Sequence, residues 1–220
     1  HLDALAAGGV LYTNHYASNP VCMPSRCSFI TGRYPQAHRV IDNGIHLPAD
    51  QLTMPEVFRR AGYRTASFGK LHFQTFCPYE GDVSMESSGR WGRGELAGWT
   101  GPYYGFEHVE LAAGHGETPQ GHYRLWREAH FPDVKVGPDH ARQEGKYPQF
   151  ACWKSNLPAE ASSSAFCARR AVEFLETVGD RPFYLNVAFP DPHHPFTPPA
   201  PYCDLFDDAE LPPPHAVEGE

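Results

Sequence analysis

No run of apolar residues in this chain approaches the roughly 20 needed to cross a bilayer, and no stretch reads as a signal peptide. The chain opens at His1 without an initiator Met, directly into HLDALAAGGV. It is therefore expected to be a segment of a longer protein, and its compartment stays open between periplasmic or secreted and cytoplasmic. Cysteines 22, 27, 77, 152, 167 and 203 contain no C-x-x-C pair and no zinc-like spacing with histidine; their even number permits disulfides without requiring them. Histidines 108, 115, 122, 130 and 140 show neither H-x-H nor H-E-x-x-H spacing, so they read as loop residues, one or two of them in reach of a substrate. Asp207 and Asp208 fall in a Pro-rich loop, a poor setting for a metal. Exact repeats and low-complexity tracts are absent.

Cations are also short: 18 Lys and Arg stand against 26 Asp and Glu, a net charge of −8. An acidic chain makes a poor generic partner for nucleic acid. The deficit is uneven, however. Residues 1–76 hold Arg26, Arg33, Arg39, Arg59, Arg60, Arg64 and Lys70 against Asp3, Asp42, Asp50 and Glu56, a balance of +3, leaving −11 for the remainder. The basic first third is suited to a small anion.

What is present is a chain of 220 residues, 41% hydrophobic and 13% aromatic, long enough to bury a substantial core in one domain or two. Its 20 Gly and 22 Pro require many loops and turns. Residues 1–76 read as compact α/β. Leu2, Leu5 and Ala6 give a short helix stopped by Gly8-Gly9, and a second helix runs through SRCSFITG to Gly32, with Cys22 just ahead of it. Thr53 and Glu56 form a capping box for a third helix ending at Gly62, and YRTASFG is a strand. Residues 77–150 form a loop-dominated excursion with a short strand near Phe106 to Leu111. Residues 160–178 form the clearest helix, with Phe166, Val172, Phe174 and Leu175 on its apolar face, followed by a buried strand, RPFYLNVAFP. Prolines 190, 192, 195, 198, 199, 201, 212, 213 and 214 then exclude regular structure. Helix, turn, apolar strand and loop is the order of a parallel α/β sheet, whose sites lie at the carboxyl ends of strands.

The chemistry concentrates in NPVCMPSRCSFITGRYP, Asn19 to Pro35. A cysteine at a helix start is either a buried apolar plug or a reactive centre. The helix N-terminus exposes unpaired N–H groups and a partial positive charge that favour an anion. Arg26, one turn on, adds a permanent cation with a fork of donors. Lys70 and His72 lie just past the strand, two apart on an extended segment and so on one side of it.

C-M-P-S-R followed by FITGRYP resembles the signature of the type I sulfatases, within the alkaline-phosphatase-like superfamily. GYRTASFGKLH, Gly62 to His72, is similar to that family's second motif at every fixed position, and FPDPHHPFTPP resembles its P-H-x-P loop. The resemblance spans most of the chain, with residues 77–150 the least diagnostic. It implies an α/β fold with a mixed, mostly parallel sheet flanked by helices, incomplete here: part of an N-terminal catalytic domain. It implies that a formylglycine-generating enzyme reads Cys22, Pro24, Ser25 and Arg26 and oxidises Cys22 to formylglycine. The hydrated aldehyde then attacks sulfur with one hydroxyl, and the other loses its proton to expel sulfate. A serine could form the ester but lacks the second hydroxyl. By the same resemblance Arg26 holds the diol, Lys70 grips a sulfate oxygen, and His72 helps deprotonate the diol. His193, with His194 as competitor, protonates the leaving group. Calcium would bind position 22 together with aspartates expected before His1 and after Glu220.

The expected activity is thus hydrolysis of a small-molecule or saccharide sulfate ester by the longer protein, with residues 1–220 inactive alone. The alternatives are a phosphonate monoester hydrolase or phosphodiesterase of the same superfamily, and a non-catalytic scaffold. Trp91, Trp99, Tyr103, Tyr104 and Trp126 read as packing rather than as a sugar platform.

Overall fold

A computed structural model describes residues 1–138, 152–206 and 212; His140, Asp207 and Asp208 lie outside the described residues. Three strands, β1 (Arg64–Gly69), β2 (His108–Leu111) and β3 (Phe183–Ala188), pair in parallel in the order β2-β1-β3. Ala66 sits beside His108 on one flank and Leu185 on the other. The helices are α1 (Leu2–Ala7), α2 (Cys22–Thr31), α3 (Pro35–His38), α4 (Met54–Arg60), α5 (Ser88–Gly92), α6 (His122–His130) and α7 (Ser163–Thr177).

Alternation along the strands divides the core. Ala66 and Phe68 pack against Ala171, Phe174 and Val178 at α7. Val109 and Leu111 belong to the opposite, larger cluster with Met23, Cys27 and Ile30 of α2, and with Trp91 and Phe106. Helices therefore cover both faces, as a parallel sheet requires. At the carboxyl end β1 and β3 close tightly. Lys70 N donates to Ala188 O at 2.8 Å. A Cβ on Gly69, whose φ is +111°, would lie 2.1 Å from that same oxygen, so only glycine fits.

Several local expectations need correction. Cys22 is the first residue of α2 rather than ahead of it, and Pro24 sits in that first turn, where no N–H is missed. The box at α4 is half made: Thr53 accepts from Glu56 N, but the Glu56 carboxylate turns to Arg59 and Arg60 at 2.8 and 2.7 Å. The helix expected over 160–178 begins as a 3₁₀ turn at Ala159–Ala161, and α7 starts at Ser163 because Ser162 caps it, its Oγ accepting from Ala165 N. Its buried face is Phe166, Cys167, Ala171 and Phe174; Val172 and Leu175 point outward. Strand β3 is half-buried, not buried, because it stands at the sheet's edge among the described residues. The excursion is not loop alone: it holds two helices, α5 and α6. Trp91 and Tyr103 are core residues, and Trp126 packs on Phe166. No helix among the described residues is long and apolar enough to cross a membrane.

Candidate active site

Three segments distant in sequence meet at the carboxyl edge of the sheet: the first turn of α2, the residues after β1, and the loop after β3. Cys22 is half-buried at the start of α2, where Val21 offers no side-chain cap. Asn43 Oδ1 instead accepts the neighbouring Met23 N–H at 3.0 Å, which fixes the helix end. Arg26 reaches across from the same helix, and its Nη1 donates to Lys70 O at 2.7 Å. That bond ties α2 to the end of β1. Cys22, Ser25, Arg26, Lys70, Asp191 and His193 line one cleft of about 400 Å³. A wider cleft of about 830 Å³ lies beside α4, but its Glu56, Arg59 and Arg60 are spent on one another.

His193 Nε2 stands 4.0 Å from Cys22 Sγ. Its Nδ1 faces His194 O at 2.5 Å. A carbonyl only accepts, so Nδ1 carries the hydrogen in the neutral ring and Nε2 turns its lone pair to Cys22. His194 is exposed and makes no comparable approach, so of the two histidines it is His193 that reaches the cleft.

Lys70 is 2% exposed. Burial, reinforced by Arg26, lowers its pKa to about 8, against the pull of Cys22 and Glu86. Its Nζ contacts His115 Nε2, and the His115 ring stacks on His193 with centroids 3.5 Å apart and planes 12° off parallel. Burial and then Lys70 hold His115 down at about 3, so it is a neutral acceptor for the ammonium. The sequence offers His115 only as one of several loop histidines. Its only sequence signal is the flanking Gly114 and Gly116, whose φ values are +118° and +62°. A Cβ on Gly116 would strike Pro195 of the His193 loop at 2.7 Å.

His72 departs from the expected extended geometry: its φ is +57°. The ring is 4% exposed, with Nδ1 buried and without a partner. Burial first, then Lys70, Arg26, His115 and His193, depress it to about 3, so the ring is neutral; unlike Cys22, Arg26, Lys70 and His193, it does not line the cleft. Arg26 is likewise pushed down by burial, with Cys22 and Glu86 opposing.

The donors around Cys22 suit an anion and not a hard cation, which needs several oxygen ligands. Among the described residues no three His, Cys, Asp or Glu gather as metal ligands. These residues alone do not fit calcium.

A half-buried thiol, a guanidinium, a buried ammonium and imidazoles, converging at strand ends, define an α/β domain able to hold a tetrahedral oxyanion ester. The sulfatase family model matches residues 1–212, and the chain belongs to that family. It is 27% identical over 230 residues to the choline-sulfatase of Rhizobium meliloti (strain 1021), covering 96% of this chain and 36% of that protein. It is 26% identical over 224 residues to PehA, a multifunctional alkaline phosphatase superfamily protein of Trinickia caryophylli, covering 99% and 40%. Among solved structures, the phosphonate monoester hydrolase SpPMH from Silicibacter pomeroyi superposes with a TM-score of 0.67 at 25% identity, covering 100% of this chain and 41% of that one. The chain thus spans well under half the length of these relatives.

Proposed function

We propose that residues 1–220 are part of the N-terminal catalytic domain of a sulfuric ester hydrolase acting on a sulfate monoester of a small molecule or saccharide. In this reading 1–76 carry the nucleophile motif, 77–150 the substrate side, and 151–220 a helix, a strand and the His193 loop. A formylglycine-generating enzyme oxidises Cys22 within the Cys22-Pro24-Ser25-Arg26 tag. The hydrated aldehyde supplies one hydroxyl to attack sulfur and a second whose proton is lost as sulfate leaves. Arg26 steadies the hydroxyls and balances their charge. Lys70, held by His115, binds a sulfate oxygen as the ammonium. His72, neutral and with an unpartnered nitrogen, takes a proton. His193 donates to the departing alkoxide from Nε2 once that nitrogen is protonated. Calcium is proposed for the complete protein with position 22 as one ligand and the others outside 1–220; residues 1–220 alone are then inactive.

The observation that supports this reading is the approach of His193 Nε2 to Cys22 Sγ, 4.0 Å, in a cleft shared with Arg26 and Lys70. The test is the full-length protein matured by the modifying enzyme and assayed with sulfate and phosphonate esters in parallel. Sulfate turnover that vanishes in Cys22→Ala is expected, and turnover unchanged in that variant rejects the assignment. The likeness to SpPMH and PehA favours a second reading, phosphonate monoester or phosphodiester hydrolysis on the same residues. Faster turnover of the phosphonate ester, or of a phosphodiester added to the same assay, would put it first.

A further inference from the structure

Glu86 lies outside every motif and is 1% exposed, directly against the segment that follows β1. Its carboxylate accepts three consecutive backbone N–H groups: His72 at 2.5 Å, Phe73 at 2.7 Å and Gln74 at 3.1 Å. The Tyr103 hydroxyl donates to it at 2.8 Å. Three successive amides converge on one side chain only where the backbone turns, and the turn is made at His72. A left-handed conformation there persists in a non-glycine residue only when the surroundings over-determine it. The neighbours of Glu86 reinforce the clasp. Gln74 Oε1 accepts Met85 N at 2.8 Å, the Ser84 hydroxyl donates to Thr75 O at 2.7 Å, and Ser88 N donates to Phe76 O at 2.9 Å.

Four donors on two oxygens call for a group that only accepts. Glutamine at this place would set an NH₂ against backbone N–H groups and leave a buried donor unpaired. Burial pushes the Glu86 pKa up, while the N–H and phenol donors oppose that push.

We propose that Glu86 is a positioning residue: its carboxylate holds the turn at His72 and so sets the His72 ring close to Lys70 and Arg26, beside the Cys22 cleft. The inference rests on the hydrolase reading above and adds a residue to it. The experiment uses the full-length, matured protein and compares Glu86→Gln, His72→Ala and the double variant, with melting temperatures taken alongside so that rates refer to folded molecules. Glu86→Gln is expected to lower kcat about 10- to 100-fold, the loss that follows from misplacing a reacting group by about 1 Å. In the His72→Ala background the same change is expected to add little, because the two act as one unit. A wild-type kcat in Glu86→Gln, or losses that simply multiply in the double variant, overturns the proposal. Should Glu86→Gln fail to fold, Glu86→Asp keeps the charge but withdraws it by one methylene; a reduced kcat is expected, and a wild-type kcat overturns the proposal. Wild-type protein inert toward sulfate and phosphorus esters alike overturns the hydrolase reading and this inference with it. Active wild type with unaffected variants overturns the Glu86 assignment alone.

Discussion

A serine at position 22 separates the two halves of the proposed reaction. Cys22→Ser can form a sulfate ester but has no second hydroxyl to release it. The variant is expected to liberate at most one alcohol per site and to retain sulfate covalently, which mass spectrometry of the protein would show; sustained turnover would contradict the scheme. Lys70 sets a pH limit. Below its lowered pKa of about 8 it is the ammonium that binds sulfate, so kcat/KM is expected to fall as pH rises past that value. Stability runs the other way. Between about 8 and the ordinary lysine value of 10.5 the unfolded chain holds the proton that the folded chain has shed, so the Lys70 contribution to stability rises with pH across that window. Parallel rate and denaturation profiles would check both trends, and Lys70→Met should abolish the stability trend. At this scale the gathering of Cys22, Arg26, Lys70 and His193 in one cleft was legible, because each sits in a contiguous motif. His115, Asn43 and Glu86 were not. Each acts through a contact across at least 14 residues of chain, and nothing in spacing or periodicity marks such a partner.

Among the elements, β1 was the most legible, since its sequence is also a motif, and Gly69 shows why the motif needs glycine. Gly69→Ala would drive a methyl group into Ala188 O in a backbone region unfavourable to L side chains. It is expected to part β1 from β3 and cost several kcal/mol, read as a large fall in the denaturant midpoint. Thr53→Ala removes the α4 cap and a hydroxyl bond to Tyr104 O at 2.6 Å. Losing the cap alone costs about 1 kcal/mol, and the buried bond adds to it. Urea unfolding would measure the loss, while turnover per folded molecule should stay unchanged. The apolar face of α7 is narrower than expected: Val172 and Leu175 are exposed, the face that meets β1 is Ala171, Phe174 and Val178 just past the helix end, and Phe166 packs on Tyr123 and Trp126 instead. α5 was not legible because five residues are too few for a periodic pattern, and α6 because its nine mostly polar residues bury only Tyr123 and lie among Gly, Pro and His that read as loop.

The whole molecule brings together residues separated by as many as 171 positions, Cys22 and His193, through a parallel sheet that aims its loops at one edge. The order helix, strand, loop was enough to anticipate that edge. The depth of the pocket was not, because Lys70 is buried by Arg26, His115 and the β3 loop together, and no local pattern encodes that convergence. Burial of a cation beside a guanidinium is tolerable where an anion visits, which is the physical link between fold and proposed reaction. The most direct test is peptide mass spectrometry of the Cys22 segment in protein that turns over a sulfate ester. A formyl group in place of the CH₂SH side chain is the expected result. An intact thiol in fully active protein would contradict it.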